Sequence, residues 1–162
     1  FLAAASGASA VNLDSHAMRR DLIRHLAADR PETRLLVEGV MGLFDGTDGG
    51  SGSTVSVAEA LQAPVMLVLD ARHQGQTAAA LAAGIATQLP DGVSLAGVVL
   101  NHIASPRHEE LISAALAERG IALFGSLPAN GDIEIPSRHL GLVQAADLAA
   151  IFSIEPMINK SS

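Results

Sequence analysis

The sequence contains no cysteine, tryptophan or tyrosine, and aromatic residues make up only 2% of the chain. Without cysteine these 162 residues can form no disulfide, no thiolate metal site and no cysteine nucleophile. The core must therefore be built from Ala, Val, Leu and Ile, within a hydrophobic fraction of 49%. The length suits one domain, and the lack of cysteine is consistent with a cytoplasmic location.

Positive charge is also scarce, because 10 basic residues face 17 acidic ones and the formal net charge is −7. Such a balance argues against a nucleic-acid-binding surface. The only lysine is Lys160, so the sequence has no phosphate-binding loop of the G-x-x-x-x-G-K-[ST] type. No apolar run reaches the roughly 18 residues of a transmembrane helix. We therefore expect neither a nucleic-acid partner nor a membrane partner.

Apolar runs and helical periodicity alternate along the chain, which predicts a parallel sheet in a layered α/β fold. The continuous apolar run at 65–70 is typical of a strand buried on both faces. In the helix that starts at Pro106, we expect Leu111, Ala115 and Leu116 to face inward. The predicted helices are 14–29, 53–62, 76–89, 106–119 and 143–151, the predicted strands 34–38, 65–70, 95–101 and 121–125, and the predicted loop 129–140.

Helix starts are indicated by capping residues. Asp14 or Ser15 begins the first helix and Ser53 or Thr54 the second. The second helix has an alternative start, because Ser56 and Glu59 have the spacing of a capping box.

A glycine-rich loop follows the predicted strand 34–38. Glu38 stands at the carboxyl end of that strand, and Asp45 follows seven residues later on the loop. Ligands of open α/β sheets bind outside the carboxyl ends of the strands, and Mg²⁺ takes one or two carboxylates together with water and phosphate oxygens. We therefore predict a magnesium–phosphate site with Glu38 as metal ligand and Asp45 as a metal, water or substrate contact. The loop glycines are Gly39, Gly42, Gly46, Gly49, Gly50 and Gly52.

Other polar residues have both a functional and a plainer interpretation. Arg138 could bind a phosphate or carboxylate through two hydrogen bonds or form a surface ion pair. Asp70, at the end of strand 65–70, is interpreted as structural, with a role as a cap before the next helix. The sequence HEEL at His108 lacks the second histidine of H-E-x-x-H, so a zinc site is not expected.

Five motifs occur in the order typical of one enzyme family. The segment VEGVMGLFDG at 37–46 resembles the signature of cobyrinic acid a,c-diamide synthases and the closely related hydrogenobyrinic acid a,c-diamide synthases. The nucleotide-binding domain of this family is similar to dethiobiotin synthetase. The resemblance extends to about Leu148, and the other motifs are NLD at 12–14, PVMLVLDARHQGQTAAAL at 64–81, GVVLN at 97–101 and IPSRHLGLVQA at 135–145.

The resemblance implies a P-loop NTPase-like fold similar to dethiobiotin synthetase. Residues 1–152 would form part of an ATP- and corrinoid-binding synthetase domain, and 153–162 a tail. In the family, a first strand and phosphate loop lie upstream of this region, and a cysteine-dependent glutamine amidotransferase domain lies downstream. The chain therefore resembles an internal part of a longer enzyme, and we expect it to be inactive alone.

The resemblance also implies an activity, in which ATP and Mg²⁺ activate the a and c carboxylates of a corrin precursor and glutamine supplies the amide nitrogen. Asn101 matches the asparagine that recognises adenine in dethiobiotin synthetase, and an amide can donate to and accept from a base edge at once; its plainer interpretation is a turn residue. Asp14 would contact substrate unless it only caps a helix. The implied roles are catalysis for Glu38, Asp45 and Arg138, nucleotide binding for Asn101, Pro128, Gly39 and Gly42, and substrate binding for Asp14, Asp45 and His139.

Three alternatives stay open. Two are related carboxylate-activating enzymes: nickel-sirohydrochlorin a,c-diamide synthase and dethiobiotin synthetase, although the RHLGL run at 138–142 argues against the latter. The third is a non-catalytic nucleotide switch of the ParA/MinD-like partitioning type, which is expected to carry its own phosphate loop. The sequence leaves open whether the corrin contains cobalt and what the oligomeric state is, with a homodimer as one option.

Overall fold

A computed structural model describes residues 2–3, 7–29 and 35–129, together with the backbone of 137–138 and 141–142. The chain divides into two compact units, Asn12–Ala129 and Phe1–Val11 with Asn130–Ser162. In the second unit the backbone pairs as an antiparallel hairpin of β4 (Ser137–Arg138) and β5 (Gly141–Leu142). The first unit contains α1 (Arg20–Ala28), α2 (Thr54–Leu61), β1 (Val65–Asp70), α3 (Thr77–Thr87), β2 (Leu95–Ile103), α4 (Pro106–Ala117) and β3 (Leu123–Pro128).

The three strands of the first unit form a parallel sheet in the order β1-β2-β3. The layered parallel α/β fold predicted from the sequence is therefore confirmed. The strand prediction at 65–70 is correct at both ends, whereas β2 continues two residues beyond the predicted end at Asn101. Because the strands run in one direction, their carboxyl ends share one edge of the sheet, where Asp70 pairs with Asn101 and Ile103 with Pro128.

Helices α3 and α4 pack on one face of this sheet. Ala78, Ala79 and Ala82 of α3 have no exposed surface and belong to the same apolar cluster as Leu100 of β2 and Ile112 of α4. Alanine side chains allow the helix to approach the sheet closely, which is how a chain with few aromatic residues fills its core. The position of α3 therefore depends on small residues at its contact face.

The buried face of α4 differs by one residue from the prediction. Ile112 is fully buried, together with Ala115 and Leu116, whereas Leu111 is 38% exposed. Positions i, i+3 and i+4 share one side of a helix, and Ile112, Ala115 and Leu116 have this spacing. The prediction was therefore correct for Ala115 and Leu116 and wrong for Leu111.

The opposite face of the sheet is exposed among the described residues. Leu69 of β1 is buried, but Met66 and Val68 on the same strand are 46% and 57% exposed, as is Phe124 of β3 at 56%. The prediction that strand 65–70 is buried on both faces is therefore wrong for the part of the chain that the structure describes. The reason is that α3 and α4 lie on the same face, so alternate residues of the strand are left uncovered.

No strand forms at 35–38, where the sequence predicted one; Arg34 lies outside the described residues. The side chains of Leu35 and Leu36 are 53% and 73% exposed. A strand is stable only when its backbone N–H and C=O groups find partners, and none of the described strands pairs with this segment. An apolar sequence alone does not supply those hydrogen bonds, so this prediction is wrong.

Helices α1 and α2 pack together through a second, smaller apolar cluster of Ile23, Val57 and Ala60. Two polar contacts reinforce this packing: Arg24 Nε donates to the carbonyl oxygen of Ala60 at 2.7 Å, and Arg20 forms an ion pair with Glu59 at 2.6 Å. Both contacts hold the first half of α1 against α2.

The starts of these two helices only partly follow the prediction. Helix α1 begins at Arg20, later than the predicted caps at Asp14 and Ser15, because Asp14 instead closes a turn that precedes the helix. Helix α2 has the predicted cap, since Ser53 Oγ accepts a hydrogen bond from the Ser56 N–H. The alternative capping box is wrong because Ser56 already lies inside the helix, where its hydroxyl donates to the Ser53 carbonyl oxygen at 2.7 Å.

The remaining predictions concern the C-terminal part of the chain. The helix predicted at 143–151, the tail at 153–162 and the domain boundary at 152 lie outside the described residues. Within the predicted loop 129–140, the backbone of 137–138 is a strand paired with 141–142.

Candidate active site

The glycine-rich loop from Glu38 to Ser53 is built from successive tight turns. The N–H of Gly42 donates to Asp45 Oδ2 at 3.0 Å, and the N–H of Asp45 donates to the Gly42 carbonyl oxygen at 3.0 Å. Further on, the N–H of Thr47 donates to the carbonyl oxygen of Ser51 at 2.8 Å. Glycine is required where the backbone enters the left-handed region, as at Gly50, which has φ +81°.

Two loop glycines are also required for close packing. A Cβ added at Gly39 would lie 2.5 Å from Thr54 Oγ1, and one added at Gly42 would meet the carboxylate of Asp45. The two positions therefore let the loop lie directly against the start of α2 and against the Asp45 side chain.

Ser53 joins the loop to α2. This residue is only 1% exposed; its hydroxyl donates to the carbonyl oxygen of Gly50 at 2.6 Å and accepts from the N–H of Ser56 at 3.3 Å. One side chain thus closes the last turn of the loop and satisfies an N–H at the amino end of the helix.

A cavity of about 400 Å³ opens between this loop and α2. Glu38 and Asp45 both line it, together with Gly39 and Thr54. The structure therefore brings together the two acids that the sequence selected. Glu38 forms no hydrogen bond or ion pair with any described residue, so its charge is available to a ligand.

Magnesium suits this donor set. Within the part of the chain that the structure describes, no three His, Asp or Glu side chains come close enough to hold a metal ion. Mg²⁺ needs only one or two carboxylates because it keeps several waters and takes phosphate oxygens as further ligands. The two acids at the cavity are compatible with that requirement.

Asp14 lies beside the segment that anchors the loop. Its Oδ1 accepts hydrogen bonds from the N–H groups of His16 at 2.8 Å and Ala17 at 3.2 Å, and these bonds lower the pKa of Asp14. The neighbouring Ser15 Oγ accepts from the N–H of Gly52 at 3.1 Å and lies 2.5 Å from Ser56 Oγ. Residues 14–17 therefore form a fixed turn against the loop, and contact between Asp14 and substrate stays a prediction.

A second cluster of polar residues lies at the carboxyl edge of the sheet, and no local sequence pattern indicated its contacts. Asp70 of β1 accepts hydrogen bonds from the N–H and guanidinium of Arg72, with Nη2 2.5 Å from Oδ2, and Asp70 Oδ1 lies 3.2 Å from His102 Nδ1. The Arg72 side chain, followed by its backbone N–H, holds the pKa of Asp70 well below its usual range. Asp70 does not cap α3, whose N-cap is Gln76, so that part of its predicted role is wrong.

Asn101 lies at the same edge, as predicted, but within β2 and not at its end. Its Oδ1 accepts from the N–H of His102 at 3.0 Å, and its carbonyl oxygen accepts from the N–H of Ala71 at 2.8 Å. Pro128 ends the adjacent strand β3. The carboxyl edge thus holds two of the residues assigned to nucleotide binding, and their role stays a prediction.

His108 connects two loops at this edge. Its Nδ1 accepts from the N–H of Ala104 at 3.2 Å, and its Nε2 lies 2.5 Å from the carbonyl oxygen of Gln74, to which it donates. Both ring nitrogens are used in one neutral tautomer, which indicates a structural role for this histidine.

The predicted site residues do not all meet in one place. None of the residues that line the cavity near Glu38 belongs to the carboxyl edge that holds Asn101. Arg138 lies in the second unit, where only its backbone is described, and His139 lies outside the described residues.

Comparison with known proteins places this fold in a family. A family model described as AAA domain matches residues 2–137. The chain belongs to the AAA domain family. Its parallel sheet with flanking helices is consistent with the P-loop NTPase-like α/β fold predicted from the sequence. No solved structure matches the chain significantly. Among the described residues of this AAA domain, no helix has both the length and the apolar character needed to cross a membrane.

Curated relatives of this AAA domain confirm the resemblance to a,c-diamide synthases. The chain is 45% identical over 156 residues to hydrogenobyrinate a,c-diamide synthase of Rhodobacter capsulatus, covering 93% of this chain and 36% of that protein. It is 45% identical to the Brucella ovis protein of the same name, covering 93% and 35%, and 42% identical to that of Agrobacterium fabrum, covering 91% and 34%. The chain spans about a third of the length of the relatives that it matches.

Proposed function

We propose that this chain is the ATP- and corrinoid-binding part of an a,c-diamide synthase acting on hydrogenobyrinate or cobyrinate. The enzyme would amidate the a and c carboxylates of the corrin, with glutamine as the amide donor. The observation that carries the proposal is the Glu38 carboxylate, which lines a cavity on a glycine-rich loop and has no partner among the described residues, within a chain that is 45% identical to hydrogenobyrinate a,c-diamide synthases.

The chemistry follows from what a carboxylate needs before it can become an amide. The γ-phosphoryl group of ATP is transferred to a corrin carboxylate oxygen, which gives an acyl phosphate and ADP. Ammonia then attacks the acyl carbon and loses a proton as the carbon–nitrogen bond forms, and the carbon–oxygen bond breaks so that inorganic phosphate leaves. Catalysis of phosphoryl transfer rests on positioning and on neutralising charge, without a protein nucleophile.

In this proposal the residues of the glycine-rich loop have different roles at the cavity. Glu38 holds Mg²⁺, which supplies charge neutralisation at the transferred phosphoryl group. Asp45 contacts the metal, its water or the corrin from the loop, where its position is fixed by Gly42. Gly39 and Gly42 let the backbone approach the phosphates.

The other residues act around this centre. Asp14 and His139 bind the corrin, and Arg138 binds a phosphate or a carboxylate through two hydrogen bonds. Asn101 and Pro128 hold the adenine at the carboxyl edge of the sheet. Ammonia comes from a glutaminase domain in the remainder of the longer, cytoplasmic protein. That domain uses a cysteine in the family that this chain resembles, and these 162 residues contain none.

The test uses the complete synthase that carries this segment. Purified protein is supplied with ATP, Mg²⁺ and glutamine together with hydrogenobyrinate, cobyrinate, nickel-sirohydrochlorin or the dethiobiotin precursor, and the products are identified by mass spectrometry. The expected result is ADP release coupled to formation of the corrin monoamide and diamide. Amidation of nickel-sirohydrochlorin alone would replace the substrate assignment, and ATP turnover without any amidation would contradict the proposed reaction.

A further inference from the structure

We propose that Asp70 is a positioning residue for nucleobase selection. It fixes His102 so that His102 and Asn101 together present a hydrogen-bonding pattern that accepts adenine and rejects guanine. The inference rests on the proposed function only in that Asn101 is taken to meet the base of ATP.

The backbone at this point is held in an unusual conformation. The pairing of β2 with β3 changes register between Leu100 and Ile103, and His102 has φ +60°. A residue with a Cβ enters this left-handed region only at a cost. Strained residues persist only where the surroundings hold them, and His102 is held by two contacts: its N–H donates to Asn101 Oδ1 and its ring lies against Asp70.

Asp70 is itself hydrogen-bonded by Arg72. The N–H of Arg72 donates to Asp70 Oδ1 at 2.9 Å, Arg72 Nε donates to Oδ2 at 2.9 Å, and Arg72 Nη2 donates to the same oxygen at 2.5 Å. These bonds lower the pKa of Asp70, so it stays ionised and can only accept hydrogen bonds. Its neighbour His102 must therefore donate through Nδ1.

The direction of that bond determines what the rest of the ring can do. When Nδ1 of neutral His102 carries the proton, Nε2 is an acceptor, and Nε2 has no partner among the described residues. The amide nitrogen of Asn101 is a donor without a described partner, whereas its Oδ1 already accepts from the His102 N–H. The two side chains thus present an acceptor and a donor next to each other in sequence.

One acceptor and one donor are what adenine requires. Adenine offers an amine donor beside a ring-nitrogen acceptor, whereas guanine has a carbonyl acceptor where adenine has the amine. An Nε2 acceptor on His102 binds the adenine amine and leaves the guanine carbonyl without a donor. Removing Asp70 frees the His102 ring to change tautomer or to rotate. The preference for adenine over guanine should therefore be lost, although Asp70 does not touch the base.

The experiment measures binding of ATP and GTP, in the presence of Mg²⁺, to the complete synthase and its variants. Asp70→Ala and His102→Ala are each expected to reduce the ATP-over-GTP preference by about tenfold, which corresponds to about 1.4 kcal/mol. In the His102→Ala background, Asp70→Ala is expected to have no further effect, because residues that act through one contact are not additive. The KM for the corrin should not change.

The matched control is Glu110→Ala. Glu110 is also an exposed carboxylate paired with an arginine, Arg107 at 3.2 Å, but this pair on α4 has no described contact with Asp70, Asn101 or His102. This variant should keep the wild-type preference. Unchanged preference in Asp70→Ala, or additive losses in the double variant, would overturn the proposal. If Asp70→Ala does not fold, His102→Ala decides: a lost preference supports the proposal and a retained one overturns it.

The result is separable from that for the proposed function. A synthase that fails to amidate a corrin, yet prefers ATP and loses this preference with Asp70→Ala, contradicts the substrate assignment and supports the role of Asp70. A wild-type protein without any preference for ATP, or one whose preference survives Asn101→Ala, overturns the positioning role whatever the substrate is.

Discussion

Gly42 and Asp45 hold each other through two hydrogen bonds of 3.0 Å, one to the Asp45 side chain and one between backbone groups. Asp45→Asn keeps a side-chain oxygen that can accept from Gly42, so the turn should survive while the charge is lost. We expect the KM for the corrin to rise about tenfold or more, since a hydrogen bond to a charged group is worth roughly 1.5–3 kcal/mol. Steady-state kinetics of the complete synthase measure this.

The control for Asp45 is Asp48→Asn on the same loop, because Asp48 is exposed and does not line the cavity. This control should leave the corrin KM unchanged. If both variants changed the corrin KM equally, the effect would come from the total charge of the loop and not from a specific contact of Asp45.

Glu38→Gln is expected to act on turnover. The amide keeps the shape of the side chain but removes the charge that balances Mg²⁺, so kcat should fall by on the order of 10²-fold if charge stabilisation in the transition state is lost. Raising the Mg²⁺ concentration should restore part of the activity. Titrating Mg²⁺ and the corrin separately decides the matter, and a kcat within about twofold of wild type would refute the metal-ligand role.

Gly39→Ala is expected to destabilise the loop, because the new Cβ would lie 2.5 Å from Thr54 Oγ1. Overpacking of this kind costs roughly 1–3 kcal/mol, and adding Thr54→Ala should recover part of the loss. The control is Gly84→Ala within α3, which meets no atom within 4 Å and should gain about 0.5–1 kcal/mol from helix propensity. Chemical denaturation measures both, and a destabilised Gly84→Ala would show that the comparison does not isolate the contact.

Asp70 gives a prediction for acid stability. Its pKa is lower in the folded protein than in the unfolded chain, so it stabilises the fold above the ordinary aspartate pKa of about 3.9. That contribution is lost as the pH falls from there toward the lowered pKa of the folded state. The free energy of unfolding of wild type and Asp70→Asn should differ at neutral pH and converge below about pH 4.

Local patterns predicted the elements whose causes are local. The apolar run at 65–70 located β1, Ser53 located the start of α2, and Pro106 located the start of α4, since a cap or a proline acts within one turn. The 35–38 segment has an equally apolar sequence but forms no strand. Strand formation depends on a partner, which can be anywhere in the chain, so no local pattern contains that information.

The candidate site likewise contains features with local causes and features that depend on distant residues. The acids of the glycine loop could be selected from the sequence because Glu38 and Asp45 are seven residues apart in one glycine-rich stretch. The contact between Asp70 and His102 joins residues that are 32 positions apart, and nothing near either residue signals it. Its cause is the parallel register that sets Asp70 beside Asn101, which only the assembled sheet determines.

Ser53 belongs to the glycine loop and to α2 at once, through its hydrogen bonds to Gly50 and Ser56. Any rearrangement that withdraws Gly50 therefore removes part of what orders the helix cap, and fraying of the first helical turn loosens the loop in return. Loop opening and helix fraying are therefore thermodynamically coupled. A ligand that closes the loop should slow hydrogen exchange at the Ser56 amide. Ligand binding in the cavity can therefore be measured as increased protection of an amide in α2.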